Sequence, residues 1–173
     1  MFRTNSLPIL LTLCIAGACG TAPAQTANAA GSQLGLHIDV PTRLNKANVV
    51  VDMGHAVFGG DMPFALGDIQ LLATDLRQWQ ANGQVIVIFH GDAAYMVLND
   101  SAYDANRHVT TGNRFKSALK KWMATGVQIE LCGATAEANH WTNADLLPGV
   151  KVNLNAMVRL TQLEQDGYTL IYQ

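Results

Sequence analysis

The sequence predicts an α/β domain in which a doubly wound, mostly parallel sheet lies between helices. Two observations predict it. Short apolar runs alternate along the chain with longer segments whose apolar residues recur every three or four positions, as they do on one face of a helix. In addition, a glycine separates a predicted helix from the following strand three times, at Gly83, Gly126 and Gly167. Such repeated alternation is typical of helices that cross over between parallel strands.

The composition is that of one globular domain. The chain has 173 residues, of which 49% are hydrophobic and 14% charged, so it can form a sizeable core and a second domain is not expected. The formal net charge is −2, and Lys120 and Lys121 are the only adjacent basic residues. Because nucleic-acid binding needs a basic patch, we expect no nucleic-acid partner.

The first 24 residues have the features of a signal peptide. Arg3 provides a basic start, residues 7–18 form an apolar segment too short to span a bilayer, and Ala22-Pro23-Ala24 is a small-x-small cleavage site. Ala27-Asn28-Ala29 is a second such site. We therefore expect an exported, periplasmic protein with no integral membrane segment after cleavage. The alternative is a protein anchored to lipid through Cys19.

The segment that follows, residues 25–45, is rich in Ala, Thr, Gln and Asn and has little periodicity, which indicates a flexible tether. The domain is then predicted over 46–173. Cleavage removes Cys14 and Cys19 and leaves Cys132 as a single cysteine. Exported proteins usually pair their cysteines in disulfides. Cys132 is therefore either buried and inert, joined to another chain, or kept free for chemistry.

Five strands are predicted in the domain, over 47–52, 85–90, 127–132, 150–154 and 168–172. The second is a continuous apolar run, as expected for a central parallel strand that is buried on both faces. The third alternates apolar and polar residues, as a strand does.

Helices are predicted between the strands, over 65–82, 113–125, 136–147 and 156–166. Thr135 is expected to cap the third of them. A loop is predicted from Gly54 to Pro63, a short helical turn over 95–99, and a long polar loop over 99–112.

Cys132 is the first candidate for a functional residue. It ends the third predicted strand, and Gly133 bends the chain away toward the next helix. Sites in open α/β sheets form beyond the carboxyl ends of the strands, and the start of a helix there favours a thiolate over a thiol. The alternative is that Cys132 is a buried residue that acts as a small hydrophobe.

Further candidates follow the first two strands. His90, Gly91 and Asp92 reach the same sheet edge as Cys132, where a histidine can orient a thiolate or transfer a proton. The alternative is structural: the His90 side chain forms a hydrogen bond with the backbone at the end of the strand, and Asp92 caps the next turn. His55 can contact whatever binds near Cys132, although a flexible surface loop is the simpler interpretation of its segment.

Several kinds of site have no support in the sequence. The loop from Gly54 to Asp61 lacks the Gly-Lys-Ser/Thr ending of a phosphate loop, and the Rossmann glycine pattern is absent. The spacing of the His and Cys residues indicates no metal site, and no Gly-x-Ser-x-Gly elbow supports a serine hydrolase. We therefore expect neither a metal nor a cofactor.

A family resemblance extends over about residues 47–172. Its stretches are Val85 to Ala93, Leu98-Asn99-Asp100 with Tyr103, Gly126 to Gly133, Leu146 to Val150, and Gln165 to Tyr168 with Tyr172. In the order and spacing of these stretches the chain resembles the DsrE/DsrF-like sulfur-relay proteins, specifically the exported members that carry a signal peptide. The resemblance implies a single three-layer α/β/α domain of flavodoxin-like type, with a mostly parallel five-stranded sheet, that assembles into homo- or hetero-oligomers.

The resemblance also implies a function. In intracellular members of the family, a cysteine near a sheet edge carries sulfur as a persulfide, and Cys132 is the matching position. We hypothesise that Cys132 takes sulfane sulfur from a donor and passes it to a partner thiol, with His90 as its proton partner and with Gly91, Asp92, His55 and Gly133 as ligand contacts. The partners would be sulfur donor and acceptor proteins or small sulfane-sulfur compounds, and the protein a homo-oligomer.

The sequence leaves two alternatives open, one about turnover and one about function. The protein is either a sulfurtransferase or a sulfur carrier without independent turnover. The alternative function is a thiol-independent module for small-ligand binding or oligomeric assembly, in which Cys132 is a core residue.

Overall fold

The computed structural model describes residues 35–173. Residues 42–173 form one compact unit. Residues 35–41 are the described end of a separate unit, in which His37 Nε2 lies 3.5 Å from Asp39 Oδ1. The predicted signal peptide, its cleavage sites, Cys19 and the first part of the tether lie outside the described residues.

The compact unit contains a five-stranded parallel sheet and a small antiparallel hairpin. The strands are β1 (Val49–Met53), β2 (Phe58–Gly59), β3 (Met62–Pro63), β4 (Val85–Phe89), β5 (Gln128–Cys132), β6 (Lys151–Asn153) and β7 (Thr169–Tyr172). The sheet order is β6-β5-β4-β1-β7, and every neighbouring pair is parallel. The predicted α/β fold is thereby confirmed. The strand order, which the sequence does not indicate, differs from the 2-1-3-4-5 order of flavodoxin.

Helices cover both faces of the sheet. They are α1 (Phe64–Gln78), α2 (Asp100–Arg107), α3 (Lys116–Ala124), α4 (Gly133–Ala138) and α5 (Ala156–Gln165), with 3-10 segments at Gly91–Val97 and Asn143–Asp145. Buried side chains of α1 to α4 belong to one hydrophobic cluster, and those of α5 to a second. A right-handed crossover explains this division, because β1, β4, β5 and β6 are added in one direction and α5 then returns to β7 on the other side of β1.

The core follows from the alternation of side chains along the strands. In β4, Val87 and Phe89 belong to the larger cluster, whereas Ile86 and Ile88 belong to the cluster under α5. All five residues of β4 are buried, as predicted for a central strand. The face under α5 therefore has a small apolar core, and the carboxyl end of β5 lies beside it.

Two local predictions about the segment after Cys132 are wrong. The helix predicted over 136–147 is two pieces, α4 and the second 3-10 segment. The chain breaks between them because His140 has a left-handed φ of 58° and Thr142 begins a new turn through a capping box with Asp145. Thr135 does not cap α4, because the helix begins two residues earlier, at Gly133.

The two predicted loops also contain regular structure. Residues 99–112 include α2, which forms because the Asn99 side chain accepts a bond from Ala102 N–H and Tyr103 is buried. The loop after β1 includes the β2–β3 hairpin, where Phe58 packs edge-on against Phe115 at 6.3 Å between ring centroids. The hairpin therefore packs on the face that α1 and α3 cover, not on the face that carries α5.

Candidate functional site

The carboxyl edge of the sheet brings two of the predicted site residues, His90 and Cys132, to one level. Phe89 pairs with Leu131 in the parallel register, so His90 follows β4 directly beside Cys132. Cys132 itself pairs with Asn153 of β6. His90 and Cys132 are therefore neighbours across the edge, as the sequence predicts.

The Cys132 sulfur is buried and hydrogen-bonded. The residue is 5% exposed, and its Sγ accepts a bond from Ala156 N–H at 3.3 Å. Burial raises the pKa of the Cys132 thiol. Hydrogen bonds from the Thr135 hydroxyl and from the N–H groups of Thr135, Ala156 and Ala134 together outweigh that effect and place the pKa below its usual value.

Two helices begin at this sulfur. Cys132 is the residue that precedes α4, and Ala156, whose N–H reaches the sulfur, is the first residue of α5. Gly133 permits this convergence, because a Cβ at that position would lie 2.5 Å from the carbonyl oxygen of Asn153 and 2.9 Å from that of Leu154. The role of Gly133 is thus to let the start of α4 approach the segment before α5.

His90 is held by an aspartate. Its Nε2 lies 2.5 Å from Oδ1 of Asp52, and the two side chains are 29% and 16% exposed. The ring packs on Gly54, where a Cβ would lie only 2.7 Å from Cε1 of the imidazole. The hydrogen bonds to the Cys132 sulfur come from α4 and α5 rather than from His90.

The turn after His90 connects to the thiol through Thr135. Gly91 N–H points to the Thr135 hydroxyl oxygen at 3.4 Å, and that hydroxyl also bonds Cys132. Asp92 and His55 lie near each other instead, with 3.3 Å between Oδ2 and Nδ1, and both side chains are more than four-fifths exposed. They form part of an open rim, and neither has a described bond to Cys132.

A polar cluster that was not predicted from the sequence lies one level below Cys132 on the same face. Glu130 is 3% exposed and accepts bonds from Arg159, Asn153 and Gln128. Burial raises the pKa of Glu130, and these three donors outweigh it and lower the pKa. In return, the hydrogen bond to the Glu130 carboxylate raises the pKa of Arg159.

Asp52, which bonds His90, is a second residue of this region that was not predicted from the sequence. A signal for both acids was present, because each is a charged residue between two apolar neighbours in a strand, and a buried charge needs a partner. The partners, His90 and Arg159, are 38 and 29 residues away in the chain.

A groove lies away from the thiol. It has a volume of about 720 Å³ and runs between α1 and α3, with Leu66 and Trp122 among the residues that line it and Arg114 and Lys121 on the α3 side. These residues belong to the face of the sheet opposite α5. The groove is therefore separate from Cys132 and His90.

Comparison with known proteins identifies the family. Residues 59–172 match the model of the DsrE/DsrF-like family. The chain belongs to the DsrE/DsrF-like family. No curated protein is detectably similar to it in sequence.

Solved structures of low sequence identity share the DsrE-like fold. One is the ychN protein from E. coli, 16% identical with a TM-score of 0.53, where the match covers 73% of this chain and 99% of that one. Another is protein MTH1491 of unknown function from Methanobacterium thermoautotrophicum, 16% identical with a TM-score of 0.51, covering 74% and 100% of the two chains. At this identity the likeness is one of fold.

The described residues contain neither a metal-ligand cluster nor a helix that could span a membrane. Among residues 35–173, no three His, Cys, Asp or Glu side chains come together as ligands for a metal ion would. The helices of that part of the chain are also too short or too polar for any of them to cross a membrane.

Proposed function

We propose that this DsrE/DsrF-like protein carries sulfane sulfur as a persulfide on Cys132 and passes it to a partner thiol. The observation that carries the proposal is the hydrogen bonding of the Cys132 sulfur by Thr135 and Ala156 at the start of two helices. These donors favour the thiolate, which is the nucleophile in sulfur transfer. Membership of a family associated with sulfur relay supports the same chemistry.

The transfer is balanced without a cofactor. With thiosulfate as donor, the Cys132 thiolate attacks the sulfane sulfur, an S–S bond forms to Cys132, and sulfite leaves with the electron pair of the broken bond. With a polysulfide, a chain shorter by one sulfur leaves instead. The thiolate of an acceptor then attacks the outer sulfur of the persulfide and releases Cys132 as a thiolate.

The neighbouring residues have distinct roles in this proposal. The N–H and O–H donors to Sγ that stabilise the thiolate also make Cys132 a better leaving group when an acceptor thiolate attacks the outer sulfur of the persulfide. His90, oriented by Asp52, is the proton partner at the sheet edge. Asp92 and His55 form the exposed rim that a donor or acceptor meets first.

The test is sulfur loading of the purified full chain. The protein is incubated with thiosulfate or a polysulfide, and intact mass is measured before and after reduction, with Cys132→Ser as the reference so that adducts on Cys14 and Cys19 are subtracted. We expect a reducible gain of one sulfur that Cys132→Ser lacks. Equal loading of the two proteins would disprove the proposal.

A second function is favoured by one observation, the burial of Cys132. At 5% exposure, beside the cluster of Val50, Ile86 and Ile88, the residue also fits a core position in a thiol-independent binding or assembly module. Such a module would bind through the sheet-edge loops or assemble with further copies of the chain. A native thiol that reacts only after denaturation, together with no sulfur adduct, would support this function.

Export is part of the proposal as well. The predicted cleavage after Ala24, or lipid attachment at Cys19, would deliver the domain to the periplasm. Expression of the full chain in a bacterial host, followed by fractionation and intact mass, tests it. A periplasmic product beginning near Gln25 would support cleavage, a lipid-modified Cys19 would support anchoring, and an unprocessed product in the cytoplasm would contradict both.

A further inference from the structure

Glu130 of β5 and Arg159 of α5 form an ion pair, the charged fork, next to Cys132. Arg159 donates from Nε and Nη2 to the Glu130 carboxylate at 2.9 to 3.2 Å. Asn153 Nδ2 adds a bond at 3.0 Å and Gln128 Nε2 one at 2.6 Å. With 4% of the Glu130 side chain exposed, this is a bidentate pair largely removed from water.

The position of the fork links it to the thiol. Glu130 lies two residues before Cys132, so both side chains point to the same face of β5. Arg159 lies three residues after Ala156, one turn into α5. The fork therefore ties the first turn of α5 to the strand that ends at Cys132.

We propose that the Glu130–Arg159 pair is a positioning device for Cys132, which holds the first turn of α5 where the Ala156 N–H meets the sulfur. Other bonds near the sulfur do not supply this restraint, because Thr135 and Ala134 belong to α4. The inference rests on the proposed thiolate chemistry, and it adds two positioning residues that do not touch the sulfur.

Charge alone predicts a different result, which makes the inference testable. The titratable groups on the face of the sheet that carries Cys132 include His90 from the end of β4, with Asp52 bonded to it, Glu130 from its own strand, and Arg159 from α5. Tyr168, just before β7, packs against the same cluster, and β6 and α4 contribute the uncharged Asn153 and Thr135. If the pair acted only through charge, removing the Glu130 carboxylate would leave a cation and lower the thiol pKa. A positioning role predicts the reverse.

The experiment uses Glu130→Gln and Arg159→Lys in the full chain. The Gln amide replaces one of the two accepting oxygens of Glu130 with an NH2 donor and removes the negative charge, so the bidentate pair with Arg159 is lost. Lys keeps the positive charge without the planar fork. The thiol pKa is read from thiolate absorbance as a function of pH, as the difference from the same variant with Cys132→Ser. We expect both substitutions to raise the pKa by roughly one unit, the effect of losing a hydrogen bond to a charged group.

Arg114→Gln is the matched control, because Arg114 pairs with Asp61, an exposed residue of the loop joining β2 to β3. It should leave the thiol pKa unchanged. Circular dichroism identifies any variant that fails to fold. If one of the two test variants fails, the thiol pKa of the other decides whether the pair has the positioning role. A lower pKa in Glu130→Gln with no change in Arg159→Lys would show a charge effect and overturn the positioning role, as would no change in either variant.

The readout separates this inference from the proposed function. Thiolate absorbance requires no sulfur donor, so a raised pKa in both variants would establish positioning even if Cys132 never loads sulfur. Conversely, normal loading with an unchanged pKa would support the carrier and reject the positioning role.

Discussion

His90 Nε2 lies 2.5 Å from Oδ1 of Asp52, and this pair stands one strand away from Cys132 at the carboxyl edge of the sheet. The arrangement places an oriented imidazole beside a hydrogen-bonded sulfur. It does not place the imidazole in the hydrogen-bond shell of that sulfur, which α4 and α5 provide. The donors to the sulfur and the oriented imidazole thus belong to different elements of the fold.

Removing the imidazole should slow sulfur loading without changing the fold. We expect His90→Ala to lower the loading rate by roughly 100-fold, the lower end of what general acid–base groups contribute. Asp52→Asn should cause a smaller loss, because the ring stays but is no longer held by a carboxylate. Single-turnover loading measured by quenched mass spectrometry checks both. The control is Asp68→Asn, an exposed position on α1, and a loss of equal size there would refute the assignment.

Removing the Thr135 hydroxyl should make the thiol less acidic. Thr135→Val keeps the shape of the side chain and deletes the largest of the bonds that lower the Cys132 pKa. We expect the pKa to rise by roughly one unit and the loading rate near neutral pH to fall with the thiolate fraction. Thr161→Val, which removes a hydroxyl bonded to the carbonyl of Met157 within α5, is the comparison. An unchanged thiol pKa in Thr135→Val would contradict the hydrogen-bond assignment.

The low thiol pKa should also appear in the stability of the protein. A group whose pKa is lower in the folded than in the unfolded state stabilises the fold above its unfolded pKa and loses that contribution as pH falls through the folded pKa. The free energy of unfolding of the native chain, relative to Cys132→Ser, should therefore increase as pH rises toward the ordinary thiol value of 9.0. Urea unfolding of both proteins at a series of pH values measures this difference in the free energy of unfolding. A difference that shrinks with rising pH would mean that the pKa of the Cys132 thiol is raised in the folded state.

Two glycine substitutions should have opposite effects. Gly133→Ala places a Cβ 2.5 Å from the Asn153 carbonyl oxygen, so backbone must shift, and we expect a loss of about 1–3 kcal/mol in the free energy of unfolding. Gly67→Ala in α1 meets open space and should stabilise by about 0.5–1 kcal/mol. Urea unfolding compares them. Equal stability of the two variants would show that the close approach at Gly133 is not required.

Gly133→Ala should in addition raise the thiol pKa, because the shift would separate the start of α4 from the segment before α5. Gly67→Ala lies on the other face of the sheet and should leave the thiol unchanged. The thiolate absorbance of the two variants gives this second readout independently of their stability.

The sequence determined the type of fold and the level at which its site lies. Alternation of apolar segments and the three helix–glycine–strand junctions predict a parallel α/β sheet because these are local patterns that each element carries by itself. They also place His90 and Cys132 at strand ends, and parallel strands bring such ends to one edge. The helix within 99–112 was missed because one side-chain cap, at Asn99, starts it in a polar segment. The break within 136–147 was missed because it depends on left-handed His140 and on the new cap at Thr142.

The tertiary structure alone decided which groups surround the thiol. Asp52 and Glu130 are visible in the sequence as charges between apolar neighbours in strands, but nothing local pairs them with His90 and Arg159. Strand order and the return of α5 to the opposite face determine those pairs, and they also bring the Ala156 N–H to the sulfur from 24 residues away. Long-range contacts of this kind depend on how the elements pack, and they determine the surroundings of the Cys132 sulfur.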